Sequence, residues 1–574
     1  MPKCQFTSQY IDYEILKWVD FNCQELPLVS GFYIFHDKDY VQDKTNNEEH
    51  KRAVLDRLKR KVNHAISNNE PLLCIGYQLP EFSLSDLGII SKEFTKSVYF
   101  NNSQFFGKAE FSEAKFHRGA FFGDTNFQET QFFDTEFYGE AIFRAANFQG
   151  KAYFYGAKFK VEVQFADANF QEEANFSMTN FQGKSNFGAL FSGAKFHGEA
   201  YFAGAKFQGA YFFEAKFHGE AYFRDATFQG EAELRANFQG NTNFRGVTFE
   251  ADTNFRGVEF QGKAEFSEAK FHREAVFSIA DFHGLATFVN SEFYDKTFFS
   301  GHFNGETKFN YVLFERKEKV IIDIENLSNI SFMNTDITGV RFSDKARWGN
   351  VEYDKFWGGK KVKEERFKII DERQLEKKIN EQDSHTTKDF NLGSIKAVYR
   401  SLRENYEYRM RYDEAGQFFI REMELKRMYR EVVSSNEEED ETSLGIKRNY
   451  WFRRNLFSLT GWYYHLSRYG ESLWRPTLAG LVIVFLSTLF WLIQINPSAE
   501  PSFTNTVGFA NATKITVWQR AFERSMVDFL PLLSIGGEVK VGLIDYIIKI
   551  VGGAVTFGLI AIALRRRFER RYRH

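Results

Sequence analysis

Between about residues 92 and 315, large apolar side chains recur with a beat that is neither helical nor a plain alternation. Phe143, Phe148, Phe154, Phe159, Phe165, Phe170, Phe176, Phe181 and Phe187 are separated by steps that alternate between five and six, and Phe244 to Phe293 follow the same rule. The unit is eleven residues. A small residue often stands two places before the ring, as with Ala200 before Phe202, Ala205 before Phe207, Ala215 before Phe217 and Ala226 before Phe228. In an extended segment, positions i and i+2 share a face, so each segment turns one small and one large side chain inward and then bends. An amphipathic helix is excluded: a five-and-six unit does not follow its three-and-four stripe, and the recurrent glycines would each cost a helix about 1 kcal/mol. The pattern predicts a β-solenoid. Steps of four at Phe187–Phe191 and Leu234–Phe238 predict local corner defects. In the last coil Phe332, Ile337 and Phe342 step by strict fives, with Ile330, Thr335 and Val340 two places before them. That coil and the segment beyond Trp348 are expected to cover the terminal core face, which a solenoid must hide.

The flanks carry other periods. Residues 1–79 read as an N-terminal α/β cap domain, with a charged helix in "NNEEHKRAVLDRLKRKVNHAI" before the apolar "PLLCIGY". Residues 80–350 are assigned to the solenoid and 351–433 to a helical adaptor. In the adaptor Ile395, Tyr399, Leu402, Tyr406 and Met410 step by three or four, "DEAG" interrupts, and Phe419 and Met423 resume, which predicts a helical hairpin. It is loosely similar to a tetratricopeptide unit, and a single such pair forms no binding groove of its own. Residues 434–446 read as an acidic linker, disordered at "SSNEEEDETS".

Hydropathy rises in residues 447–574. "LAGLVIVFLSTLFWLIQI" and "VGLIDYIIKIVGGAVTFGLIAIAL" predict two transmembrane helices, at about 473–495 and 541–564. The aromatic "YWFRRNLFSLTGWYYHLSRYG" predicts a helix in the inner interface. Basic residues precede the first span, and "RRRFERRYRH" follows the second, so the positive-inside rule places both termini in the cytoplasm of a multi-pass cell-membrane protein. Asp545 and Lys549 fall inside the second span, one turn apart. Ionisable residues there are functional candidates by default, and they also have the plainer options of pairing with each other or snorkelling to the outer surface.

Composition sharpens this picture. The chain has 68 phenylalanines and 41 glycines against 8 prolines, a skew that marks a repeat. Its 74 basic and 76 acidic residues leave no global field for nucleic acid. Cys4, Cys23 and Cys74 lack metal-site or disulfide-scaffold spacing and read as reduced and structural. The first thirty residues show no signal peptide. His117, His197, His218, His272 and His283 each follow a phenylalanine, and His197 and His218 are expected to face each other on adjacent coils. A metal or pH-sensing ladder is the sharper reading; a solvated corner is preferred, because no carboxylate or cysteine recurs beside them. No catalytic constellation, metal site or cofactor motif emerges, and no enzymatic activity is expected.

Units such as "AKFQG" at 205–209, "AYFRD" at 221–225 and "ATFQG" at 226–230 resemble the pentapeptide-repeat family. The resemblance implies a right-handed quadrilateral β-helix with four segments per coil. With an extra residue at every second corner, a coil takes about 22 residues, and coils ~4.8 Å apart make a rod of about 45–50 Å. Some members of that family imitate DNA and bind topoisomerases. Residues 101–310 hold 20 basic and 27 acidic residues, too even a balance for the dense negative stripe that mimicry needs.

Between the predicted spans, "VWQRAFERSMVDFLPLLSIGGE" runs from an amphipathic start to a glycine turn. The arrangement over about 472–574, with a re-entrant-like loop at 516–538, resembles the pore module of two-span potassium-channel-type proteins, whose filter carbonyls line the ion path. It implies Ser534, Ile535, Gly536, Gly537 and Glu538 as pore or filter candidates. The Thr-Val-Gly-Tyr-Gly filter is absent, so potassium selectivity is not implied. Two functions are therefore expected in competition: an oligomeric ion-channel-like pore with the β-helix as assembly or gating domain, or a membrane-anchored scaffold whose β-helix binds a soluble protein partner.

Overall fold

In a computed structural model of the chain, the described residues are 5–12, 17–22, 34–42, 47–183, 188–349, 353–357, 360–364, 367–381, 386–387, 391–434, 443–449, 454–455, 458–494, 514–529 and 553–572. They fall into two units, Met1–Asp371 and Glu372–His574.

The first unit is built around a β-solenoid. Its strands are mostly two residues long because only one inward pair fits between corners: Ala200–Tyr201, Lys206–Phe207, Ala210–Tyr211 and Lys216–Phe217 follow one another around a coil. Each pairs in parallel with its counterpart one coil on, Ala200 with Ala221 and Lys206 with Thr227. The alanine and phenylalanine of each pair are fully buried, while the residue between them faces out. One side of the solenoid is an 11-stranded parallel sheet from Glu93–Phe94 to Leu313–Phe314; at ~4.8 Å per step it measures about 48 Å. Inside, rings stack along each side, Phe143 on Phe165 at 4.8 Å and Phe148 on Phe170 at 4.5 Å, and meet edge to face across the interior, Phe143 against Phe154 at 5.3 Å. Both arrangements are the ones the aromatic quadrupole favours.

The corners are of two kinds. After Phe202 and Phe212 the chain makes a turn with a left-handed third residue, Gly204 (φ 64°) or Glu214 (φ 57°), closed by Ala205 N–H to Phe202 O and Ala215 N–H to Phe212 O, each 3.1 Å. The lengthened corners have ordinary φ and need glycine for another reason. A Cβ on Gly219 would run into the carbonyl of Gly198 one coil back.

Of the two irregular steps, the one at Leu234–Phe238 is a corner change, and the corner before Phe191 lies outside the described residues. Phe191 stacks on Phe165 (5.0 Å) and so takes the next place in that column; Phe187 lies outside the described residues. Leu234 is buried in a phenylalanine position, and its corner is tightened to Ala236 N–H to Leu234 O (3.0 Å), one residue shorter than the neighbouring Ala226-to-Phe223 turn.

At the N-terminal side, strands Thr7–Asp12 and Lys17–Asn22 form a hairpin. Helices α1 (Lys38–Gln42) and α2 (Asn47–Asn68) follow. α2 buries Val54, Leu58, Val62 and Ala65. Solenoid pairing already begins at Leu72–Leu73, whose Leu72 pairs with Val98, so the expected cap segment contributes the rod's first strand. At the other end Phe332, Ile337 and Phe342 are buried, and Trp348 closes over them, 5.0 Å from the Phe342 ring and 6.0 Å from that of Phe332. Residues Tyr353–Trp357 and Lys360–Glu364 pair as a hairpin.

The second unit is mainly helical: all but the first two residues of α3 (Ile370–Glu381), then α4 (Leu392–Tyr408), α5 (Tyr412–Met428), α6 (Leu459–Ser467), α7 (Trp474–Gln494), α8 (Lys514–Phe529) and α9 (Val555–Tyr572). The predicted hairpin is α4–α5, and Ile395, Tyr399, Leu402 and Tyr406 are its buried stripe. Its break is misplaced by the sequence pattern. "DEAG" lies inside α5, where Ala415 and Gly416 are buried against α4, and the turn is Arg409–Arg411 with Met410 left-handed and exposed. Strand Tyr429–Ser434 pairs antiparallel with Ser443–Arg448. The expected linker thus contributes a strand, while 435–442 lie outside the described residues.

Among the described residues, no helix is long and apolar enough to cross a membrane. Of the span expected at about 473–495, α7 carries Arg475 in its first turn, and its uncharged residues 476–494 rise about 28 Å at ~1.5 Å each, against ~30 Å of hydrocarbon. Of the span expected at about 541–564, only 553–564 are described before α9 turns basic at Arg565.

Candidate functional site

On the rod, the outward positions form ladders of like residues, because parallel register puts each coil's side chain over its counterpart. The ring of His197 stacks on that of His218 at 4.7 Å, as their spacing predicts. The ladder continues through His218 Nδ1 to Gln239 Oε1 (2.8 Å) and through His283 and Asn304 (3.4 Å). Burial, then His218, holds His197 below the usual histidine range. No group of three His, Cys, Asp or Glu side chains among the described residues is placed to hold a metal ion. Elsewhere Tyr201 stacks on Tyr222 at 4.9 Å, each hydroxyl donating to a glutamate two residues before it. On the 11-stranded side acid and base alternate over the first four strands, in the pairs Lys115–Glu93 (2.9 Å) and Lys158–Glu136 (2.9 Å), and meet again near its far end at Lys270–Glu292 (3.4 Å). Near the last coil a half-open cleft of about 870 Å³ is lined by Phe298, His302, Ile321, Asp323, Arg341 and Asp344, among others. Cys74 is fully buried, and burial pushes its thiol up to about 12, so it is no nucleophile.

The helical unit holds charges that sequence reading did not single out. Glu372 is fully buried; it accepts from both Nη2 and Nε of Arg421 and from the hydroxyl of Tyr399 (2.5 Å). Glu422, 2% exposed, accepts from Arg400 (3.1 Å), Arg403 (3.2 Å) and Lys426 (3.0 Å). Burial alone would raise the Glu422 carboxyl, but the bonds from Lys426 and Arg400 hold it below the usual range. These groups join α3, α4 and α5 by charge-assisted bonds. The signal was present in "FFIREMELKRM": its buried positions on α5 are Phe418, Ile420, Arg421, Glu422, Glu424, Leu425 and Arg427, a surface as ionic as it is apolar. Phe419 and Met423, read as the apolar stripe, are only half-buried.

The same unit turns large apolar side chains outward. On α7, Leu478, Leu481, Val482, Phe485 and Leu486 are each 46–59% exposed, although α7 packs against α6, α8 and α9. Trp518 and Phe522 on α8 and Phe557 and Ile562 on α9 are similarly exposed. The pore candidates Ser534, Ile535, Gly536, Gly537 and Glu538, and the charged pair Asp545 and Lys549, lie outside the described residues.

Compared with known protein families, residues 132–180, 191–236 and 235–278 match the model for pentapeptide repeats (9 copies). No curated protein and no solved structure matches the chain. The matched residues lie within the stacked coils, and the chain therefore carries the pentapeptide repeat, wound into a β-solenoid.

Proposed function

We propose that this protein is a membrane-docked scaffold, in which the helices past residue 459 seat in a lipid bilayer and the pentapeptide-repeat rod offers its ladders to a soluble protein partner. One observation carries the reading. Leu478, Leu481, Val482, Phe485 and Leu486 stand at i, i+3, i+4, i+7 and i+8, so they form one exposed stripe on a helix already packed by its neighbours. A contiguous exposed apolar patch marks a membrane or protein surface. Its borders suit a bilayer: Trp462, Trp474 and Trp518 are half-exposed amphipathic rings of the kind that settle at headgroup level, and Arg468, Arg475 and Arg565 flank the helices. Vesicle flotation tests this. The full chain is expected to float with phosphatidylcholine vesicles, and Leu481→Ser with Phe485→Ser to release it. A chain that stays below the vesicles and self-associates through this stripe contradicts it.

A second reading, the oligomeric ion-channel-like pore, is favoured by one contact. A Cβ on Gly480 would lie 2.8 Å from Phe529 Cζ and 3.0 Å from Thr556 Cγ2, so α7, α8 and α9 close around this glycine in the order helix, short helix, helix. Ion flux from proteoliposomes is expected if copies assemble around an axis; absence of leak at every potential and pH contradicts it.

A further inference from the structure

We propose that the helical unit contains a phosphate-binding site around Tyr464, formed by Arg427, Arg454, His465 and Arg475. Its occupant is a phosphate group, carried by an anionic lipid headgroup or free in solution, and the lipid source rests on the docking reading above.

The site is assembled from three stretches of chain. Arg427, near the end of α5, sets its guanidinium 4.6 Å from the centre of the Tyr464 ring, and Arg475, in the first turn of α7, sets its own at 5.2 Å. Arg475 Nη1 also donates to Tyr464 O (3.0 Å). Arg427 Nη1 donates to Asn455 Oδ1 (2.7 Å), and the same oxygen lies 3.3 Å from His465 Nε2. Arg454 precedes that asparagine, and its carbonyl lies beneath Gly461 in the first turn of α6. Three basic side chains thus gather about Tyr464 and Asn455, and Arg454, next to that asparagine in the chain, lies within electrostatic reach of Arg427.

Their countercharge is already committed. Glu424 accepts from Arg427 Nε (3.2 Å) and Nη2 (2.7 Å) and from the Tyr469 hydroxyl (2.8 Å). Arg454 Nε is buried and donates to no acceptor among the described residues. A buried donor left without a partner is costly, and guanidinium groups are the side chains best shaped to fork onto phosphate oxygens. The protonation balance agrees: burial, then Arg427 and Arg448, hold Arg454 below the usual arginine range, and burial, then Arg427 and Arg475, do the same to His465. A phosphate supplies the acceptor that Arg454 Nε lacks and the negative charge together. On the same short helix, Leu459 is 90% and Trp462 51% exposed, apolar surface beside which acyl chains would lie.

Full-length protein in detergent, titrated with inorganic phosphate against chloride at matched ionic strength, tests the site apart from the bilayer. Phosphate is expected to raise the melting temperature of the wild type. Arg454→Gln and Arg475→Gln should weaken phosphate about tenfold or more, the equivalent of one charge-assisted bond, while melting like wild type in chloride. Vesicles of phosphatidylcholine with and without phosphatidylglycerol then separate the sources. Preferential flotation with the anionic vesicles that Arg454→Gln abolishes, and that inorganic phosphate competes away, identifies the headgroup. Phosphate binding that Arg454→Gln weakens, with flotation equal for wild type and variant, identifies free phosphate. If phosphate leaves the wild type unchanged, or binds Arg454→Gln as tightly, the site does not exist. Failure to float with any vesicle overturns docking and leaves the detergent titration to decide the site.

Discussion

At the residue scale, glycine does two jobs that look alike in the sequence. Gly204 supplies a left-handed φ, a place that Asp225, Asn290 or Glu214 fills in other coils. Gly219 supplies room, because the backbone of one coil passes over the carbonyl of the coil before. Gly219→Ala should therefore destabilise the rod by about 1–3 kcal/mol, since the overlap is with backbone and no side chain can yield; equilibrium unfolding measures it. The opposite effect is expected at Ile279, a β-branched residue held at φ 54° and 60% exposed. Ile279→Asn removes that strain and should raise stability by about 1 kcal/mol. Phenylalanine and alanine positions were legible because every coil repeats the same inward pair. Which glycines turn and which make room was not, since close approach is set by residues 21 or 22 places away.

At the element scale, the rod's last coil and the packing of α3 on α5 both involve polar groups held out of water. Asp371 is 3% exposed and accepts from Ser331 Oγ (2.6 Å), while its second oxygen has no partner among the described residues. Burial raises its carboxyl to about 6. A carboxyl whose folded value lies above its unfolded one binds its proton more tightly when folded, so stability falls as pH rises from about 4 to about 6 and is level above. The change is on the order of 3 kcal/mol for about two units. Asp371→Asn should remove this slope, read by hydrogen exchange at residues 330–348 against pH; an unchanged slope contradicts the assignment. In the helical unit, Glu372→Gln leaves the Arg421 guanidinium buried with a weaker partner and should cost about 3 kcal/mol. Replacing both partners, Glu372→Leu with Arg421→Met, should recover most of it. The α4–α5 hairpin was legible from its apolar stripe on α4. Its break was not, because α5 buries arginine and glutamate, and a pattern of hydrophobicity cannot see charges that meet only in three dimensions.

At the scale of the whole molecule, a pentapeptide-repeat solenoid supplies a long, regular, mixed-charge surface, and a second unit supplies helices whose outer faces are apolar. The rod's coil length and its ~48 Å side followed from the five-and-six beat, as parallel stacking fixes the rise per coil. The membrane reading did not follow so far: hydropathy marked the apolar helices, but outward exposure had to come from packing, and the candidate filter lies outside the described residues. Five of the eight tryptophans, Trp451, Trp462, Trp474, Trp491 and Trp518, stand past residue 447, whereas Trp348 is buried at the end of the rod. The most direct measurement is tryptophan fluorescence of the full chain with vesicles of brominated phosphatidylcholine. Docking requires that the lipid-borne bromines quench most of the emission and that aqueous iodide quench little of it. Emission untouched by brominated lipid, and quenched by iodide as in vesicle-free protein, would contradict docking.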